Sequence, residues 1–124
     1  MHVSDSDIQR ILAQAPNRII GVTDAMSAAG AGDGKYTIGK LDVLVKDGVA
    51  RLTSKDSLAG STLTMDRAFL ALINIFGLTI SAASHATSTL PAAQIGLKDI
   101  GSIAIGKRAD FLALTPAGTI KHIA

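Results

Sequence analysis

The chain has 124 residues, 48% of them hydrophobic, yet one tyrosine, three phenylalanines, no tryptophan, no cysteine and a net charge of +2. So small a charge, on basic residues scattered along the chain, leaves no footprint for nucleic acid, and the lack of cysteine excludes a disulfide framework and a thiolate metal site. The longest apolar stretch, residues 68–80, is interrupted by Asn74 and Gly77 and is too short for a bilayer, while Asp5 and Asp7 stand where a signal peptide needs basic and then apolar residues, so a cytoplasmic chain of at most one ordinary domain is expected.

In chain order, Ser4 is placed to cap a first helix, with Asp7 over its free N–H groups. Ile8, Ile11 and Leu12 recur on one face of that helix, and Pro16-Asn17 ends it. Residues 18–23 are apolar and β-branched, and predict a buried strand of the kind found in parallel sheets. The strand delivers one acid, Asp24, to a loop that runs into the glycine-rich residues 29–34. Tyr36, Ile38, Leu41, Val43 and Val45 lead to Lys46-Asp47-Gly48, and residues 49–52 follow: Asp-Gly between two β-rich runs predicts a hairpin. Residues 53–62 read as a loop. Thr64 is placed to cap a helix from about Met65 to Phe76, closed by Gly77. That helix is apolar nearly all round, which calls for burial on more than one side. Thr79 starts another helix, to Thr87 or Ser88. Pro91 at a first helical position opens a short third one, closed by Gly96. Residues 109–114 and 119–124 read as terminal strands.

Asp24 is the candidate for chemistry. In α/β barrels reactive side chains sit where strands end and loops begin. A strand-end aspartate that caps the next turn is the structural alternative. Leu58-Ala59-Gly60 serves either a ligand's close approach or a tight turn before a capped helix. His85 and His122 each stand alone, outside any paired metal-ligand spacing, and the glycines of residues 29–34 lack the Gly-Lys-Ser/Thr ending of a phosphate loop.

Several segments follow one another with family spacing. They are Val22-Thr23-Asp24-Ala25-Met26, Gly32-Asp33-Gly34-Lys35-Tyr36, Leu58-Ala59-Gly60-Ser61-Thr62-Leu63-Thr64-Met65, and the run from Pro91 through Ile95-Gly96-Leu97 and Gly101-Ser102-Ile103 to Gly106-Lys107-Arg108-Ala109-Asp110. Together they resemble the C-terminal third of the N-acetylglucosamine-6-phosphate deacetylase family, in the amidohydrolase superfamily. The Gly-Lys-Arg-Ala-Asp stretch is general to the superfamily; the Val-Thr-Asp-Ala-Met and Leu-Ala-Gly-Ser pair is narrower.

The resemblance implies an α/β fold. The chain would be the C-terminal fragment of a (β/α)8 metal-dependent hydrolase barrel, with a β-hairpin and strands of a small β-domain. Residues 1–35 would give a helix, the last barrel strand and a catalytic loop. Residues 36–62 would give the hairpin and substrate loop, 63–97 the closing helices, and 98–124 the β-domain strands. It implies hydrolysis of the N-acetyl amide of N-acetylglucosamine 6-phosphate to glucosamine 6-phosphate and acetate. Asp24 would be the acid/base at the end of strand eight; His2, Leu58, Ala59 and Gly60 would contact substrate. A divalent metal of the zinc or iron class serves the full-length family, on a glutamate and two histidines of earlier strands. None is expected on this chain, which alone is expected to be inactive. The alternatives are one half of a split enzyme, and a noncatalytic module that binds a sugar phosphate or oligomerises. Apolar surface left uncovered predicts a homo-oligomer, most simply a dimer, and no membrane partner is expected.

Overall fold

The computed structural model describes residues 3–124. They form a mixed α/β arrangement of two compact units, one of residues 22–68 and one of residues 3–21 and 69–124.

The first unit is built on a three-stranded antiparallel sheet, β1 (Gly34–Ile38), β2 (Leu41–Lys46) and β3 (Val49–Leu52), in that order. Two turns fix its register. Gly39 takes φ +59° at the first position of the β1–β2 turn, as a type II′ turn requires. Asp47 (φ +51°) and Gly48 (φ +72°) make the β2–β3 turn, with the two positive angles of a type I′ turn. Lys46 therefore pairs with Val49, Val45 with Ala50 and Val43 with Leu52. Asp33 holds this turn from a distance: its carboxylate accepts the N–H of Asp47 at 2.7 Å and of Gly48 at 3.0 Å. Alternation sends Val43, Val45 and Ala50 to one face, where they are buried with Ala28 and Ala59. Met26, Tyr36 and Leu52 pack against this small core.

In the second unit Ser4 caps α1 (Asp5–Gln14), its hydroxyl accepting the Asp7 N–H at 3.2 Å. α2 (Met65–Asn74) carries the chain on from the first unit, and three residues past its end Gly77 (φ +72°) turns the chain, its N–H reaching the Ile73 carbonyl. The helix stops two residues short of Phe76, and none of its residues is fully buried. Thr79 caps α3 (Ile80–Ser84) by accepting the Ala82 N–H at 3.1 Å.

The expected break before Pro91 is absent. α3 runs without interruption through a wide turn of π-helix, His85–Thr89, into α4 (Leu90–Gln94). Proline cannot donate to the carbonyl four residues back, and its ring crowds that carbonyl. The wide turn, in which the Leu90 N–H bonds the His85 carbonyl five residues back, ends just before Pro91 and loosens the ladder where it must open. Gly96 (φ +77°) closes the rod: its N–H bonds Ala93 and that of Leu97 bonds Ala92, the two bonds of a Schellman cap. Ala83, Ala86 and Ala92 are buried. The terminal strands form a two-stranded antiparallel ribbon, β4 (Leu112–Leu114) and β5 (Ile120–Ile123).

Residues 18–23 do not form the strand expected of them. Apolarity alone does not make a strand; a hydrogen-bonded neighbour is needed, and among the described residues none of the five strands runs beside this segment. In the second unit the Gly21 N–H bonds the Ala86 carbonyl at 2.9 Å. In the first, Val22 is 76% exposed.

Candidate functional site

The site begins at β3. The Leu52 N–H bonds the Ser57 carbonyl at 2.8 Å, and the Ala59 N–H bonds the Ala50 carbonyl at 3.0 Å. Residues 57–59 thus lie antiparallel to β3, with Leu58 bridged to Arg51. Ala59 enters the core beside Val43 and Val45. Gly60 turns the chain at φ +64°, and Ser61 then meets the Asp24 loop.

Ser61 donates its N–H to the Asp24 carbonyl at 2.8 Å and accepts the Met26 N–H at 2.9 Å. The result is a parallel bridge between Ala25 and Ser61. Four of the residues expected to carry function, Asp24 and Leu58-Ala59-Gly60, are therefore joined in one place, although more than thirty positions separate them in the chain. Asp24 itself sits at φ +51°, in the left-handed region that aspartate tolerates better than most residues. The Thr23 hydroxyl accepts the Ala25 N–H beside it, at 3.3 Å. The Asp24 residue is exposed, and its carboxyl takes part in none of the hydrogen bonds or ion pairs formed among the described residues. Met26 and Ala28, just beyond, pack on or in the same core as Ala59. The acid-bearing loop and the Leu-Ala-Gly loop are thus seated on one small sheet.

A recess beside the bridge is lined by Gly48, Leu58, Gly60, Ser61, Thr62 and Arg67. Its hydroxyls are already engaged: Ser61 Oγ accepts the Leu63 N–H at 2.8 Å, and Thr62 Oγ1 donates to the Gly48 carbonyl at 2.5 Å. Nearby, the Thr64 hydroxyl bonds the Asp66 carboxylate and holds its pKa below the usual carboxylate range. Nothing in the sequence singles out Ser61 or Arg67 as a functional residue. Ser61 acts through backbone atoms, which carry no residue signature, although it stands inside the Leu-Ala-Gly-Ser motif.

Other expectations resolve differently. His2 lies outside the described residues. His85 has Nε2 3.3 Å from the Asn17 carbonyl oxygen, a contact within the second unit. His122 stands across from Phe111, ring centroids 6.3 Å apart. In the Gly-Lys-Arg-Ala-Asp stretch, Lys107 reaches the Ile100 carbonyl and Ser102, and Arg108 pairs with Asp110 at 3.1 Å on the surface. Among the described residues no three His, Cys, Asp or Glu side chains group as metal ligands would, and no helix is long and apolar enough to cross a membrane.

No protein-family model matches the chain. It is 40% identical, over 98% of its length, to a protein of Escherichia coli K12 provisionally named N-acetylgalactosamine-6-phosphate deacetylase, and spans 73% of that relative. It is 38% identical over 80% of its length to the N-acetylglucosamine-6-phosphate deacetylase of Vibrio furnissii, and spans 25% of it. Among solved structures it matches the N-acetylglucosamine-6-phosphate deacetylase of Thermotoga maritima over its whole length, with a TM-score of 0.92 and 36% identity, and spans 34% of that chain. A Mycobacterium smegmatis enzyme variant solved with N-acetyl-D-glucosamine-6-phosphate gives the same TM-score at 33% identity, again over 34% of its length. The 124 residues thus cover most of one relative and about a third or less of the others, and on these likenesses the chain belongs to the N-acetylglucosamine-6-phosphate deacetylase family.

Proposed function

We propose that this chain supplies the acid/base end of an amino-sugar phosphate deacetylase acting in the cytoplasm. The reaction adds water across the N-acetyl amide of N-acetylglucosamine 6-phosphate and yields glucosamine 6-phosphate and acetate. The observation that carries the reading is the Ala25–Ser61 bridge, which seats the Asp24 loop against Leu58-Ala59-Gly60.

Amide hydrolysis forms one C–O bond and breaks one C–N bond, and the departing nitrogen needs a proton. An aspartate beside the attacking water takes the proton the water must lose and hands it to that nitrogen. Asp24 suits this role because its backbone is held on both sides of Ala25, and its carboxyl is exposed and uncommitted. Leu58, Ala59 and Gly60 present a short backbone edge at the same place, against which a sugar can lie. His2 would add a polar contact to substrate.

The family resemblance implies a divalent ion, which serves such reactions by activating water. The described residues do not fit one, because no three donor side chains come together among them. Its ligands are assigned to the part of the relatives that this chain does not span. On the same reading residues 18–24 supply the last strand of a (β/α)8 barrel, a strand that gains its neighbours only from the remaining two thirds. The relatives that match over 98% of this chain at 40% identity are named for the galacto sugar, which favours N-acetylgalactosamine 6-phosphate as a second substrate to assay.

The test is acetate release from both sugar phosphates. It is measured on the 124-residue chain, and on a hybrid in which the chain replaces the matching C-terminal third of the Escherichia coli O157:H7 relative. The chain alone is expected to release none. The hybrid is expected to be active, and Asp24→Asn to lower its kcat by about 10²–10⁴-fold, the range for a lost general acid/base. Acetate release by the chain alone, or a hybrid indifferent to Asp24→Asn, would overturn the proposal.

A further inference from the structure

Asp24 has a feature that a free carboxyl does not need: a left-handed backbone held in place by a second loop. Two hydrogen bonds flank Ala25, from the Ser61 N–H to the Asp24 carbonyl and from the Met26 N–H to the Ser61 carbonyl. The approach is close. A Cβ placed on Gly60 would stand 3.2 Å from the Asp24 carbonyl oxygen and 3.3 Å from the Met26 Cβ. Those neighbours are backbone and the root of a side chain, which cannot swing aside as a flexible tip can. An added methyl would press these neighbours back by a few tenths of an ångström, and at φ +64° it would also carry left-handed strain.

The other end of the Gly60 loop is fixed as well. Ala59 is buried with Val43, Val45 and Ala50, and its N–H bonds the Ala50 carbonyl. Hydrogen bonds from Ala59 to β3 and from Ser61 to the Asp24 backbone therefore hold the chain on either side of Gly60. The residues proposed to meet substrate and the proposed acid thus stand at two ends of one clamp.

From this we infer that Gly60 is a positioning residue for the Asp24 carboxyl, in addition to any contact it makes with substrate. By letting Ser61 dock on the Asp24–Met26 backbone, it fixes the corner from which the carboxyl projects. The inference rests on the acid/base reading of Asp24 and adds to it a cause for where that carboxyl stands.

The test compares Gly60→Ala with Gly39→Ala, which bears a similar positive φ (+59°) in open space at a hairpin turn remote from the clamp. In the 124-residue chain, amide hydrogen exchange at Met26 and Ser61 is expected to quicken at least tenfold in Gly60→Ala, or about 1.4 kcal/mol of lost protection, while Leu44 and Arg51, paired across β2 and β3, stay protected. Gly39→Ala is expected to leave Met26 and Ser61 unchanged. In the active hybrid, Gly60→Ala is expected to lower kcat at least threefold, toward the roughly 100-fold that a misplacement of about 1 Å costs, with any rise in KM smaller than the fall in kcat and the acidic limb of the pH profile displaced. Persistent protection of Met26 and Ser61 in Gly60→Ala overturns the inference, whether or not the hybrid is active. So does a rise in KM with kcat unchanged, which would make Gly60 a binding contact alone. If Asp24→Asn is harmless in a working hybrid, the acid/base reading fails instead, and the exchange data still report on the clamp.

Discussion

The loop after Gly96 offers a sharp test of packing. Gly101 takes φ +82°, and a Cβ built there would stand 2.7 Å from the Ala92 Cβ, 3.0 Å from the Ser88 carbonyl oxygen and 3.3 Å from the Thr89 Cα. Gly106, five residues on, takes φ +84° with nothing within 4 Å. Alanine at either position carries the left-handed penalty of about 1–2 kcal/mol, offset by about 0.4–1 kcal/mol because the unfolded chain loses freedom too. Gly106→Ala should therefore cost between about 0 and 1.6 kcal/mol. Gly101→Ala must also push a helix backbone aside, an overpacking cost of about 1–3 kcal/mol, and it displaces the carbonyl that accepts the Thr89 hydroxyl at 2.5 Å. At about 2.1 cal/mol/K per residue, a chain of this length shifts its Tm by about 4 °C per kcal/mol. The two variants should therefore differ by about 4–12 °C in thermal unfolding followed by helical circular dichroism. Equal shifts would refute the reasoning, because only the space around the added methyl separates the two sites.

Three further outcomes follow from the same geometry. Asp33→Ala frees two N–H groups of the β2–β3 turn and should cost about 1–2 kcal/mol, with faster amide exchange at Asp47 and Gly48; unchanged exchange there would remove Asp33 from the turn's support. Asp66 has a folded pKa held below 3.8, chiefly by the Thr64 hydroxyl, so its stabilising contribution is present above that pH and is lost as pH falls through the lower folded value. Thr64→Val should raise the Asp66 pKa in an NMR titration, and an unmoved titration would show that another group sets it. Exposed apolar side chains of the terminal ribbon and the loop before it, among them Ile103, Ile105, Leu112 and Ile123, predict a dimer in sizing with light scattering; a monomer at high concentration would count against self-association.

Local chemistry was legible in the sequence. The Ser4 and Thr79 caps, the Asp47-Gly48 turn and the Gly96 cap each rest on a few adjacent residues whose side chains or φ preferences decide the geometry. What depends on distant partners was not. Residues 18–23 have a strand's composition without a strand's neighbour. Pro91 looked like a boundary because proline obstructs an ordinary helix, and a wide turn removes the obstruction without leaving a sequence signal. At the candidate site, Asp24 and Leu58-Ala59-Gly60 stood out by motif, and the structure brings them together. The agent that joins them, the Ser61 peptide group, has the same chemistry in every residue and could be found only in three dimensions.

The wide turn at His85–Thr89 also governs how the rod can change length. Ala83 and Ala92 are nine positions apart, about two and a half turns of ordinary α-helix, which would set them on opposite sides. Both are buried, and the one extra residue taken up by the wide turn narrows the angle between them from about 180° to about 80°. Taking one residue out of that stretch would leave Ala92 facing inward, but it would seat the Pro91 ring inside a regular coil, which costs about 3 kcal/mol. The spare link and the proline are therefore tied together, and a shortened rod should be tolerated only when Pro91 is exchanged for alanine as well.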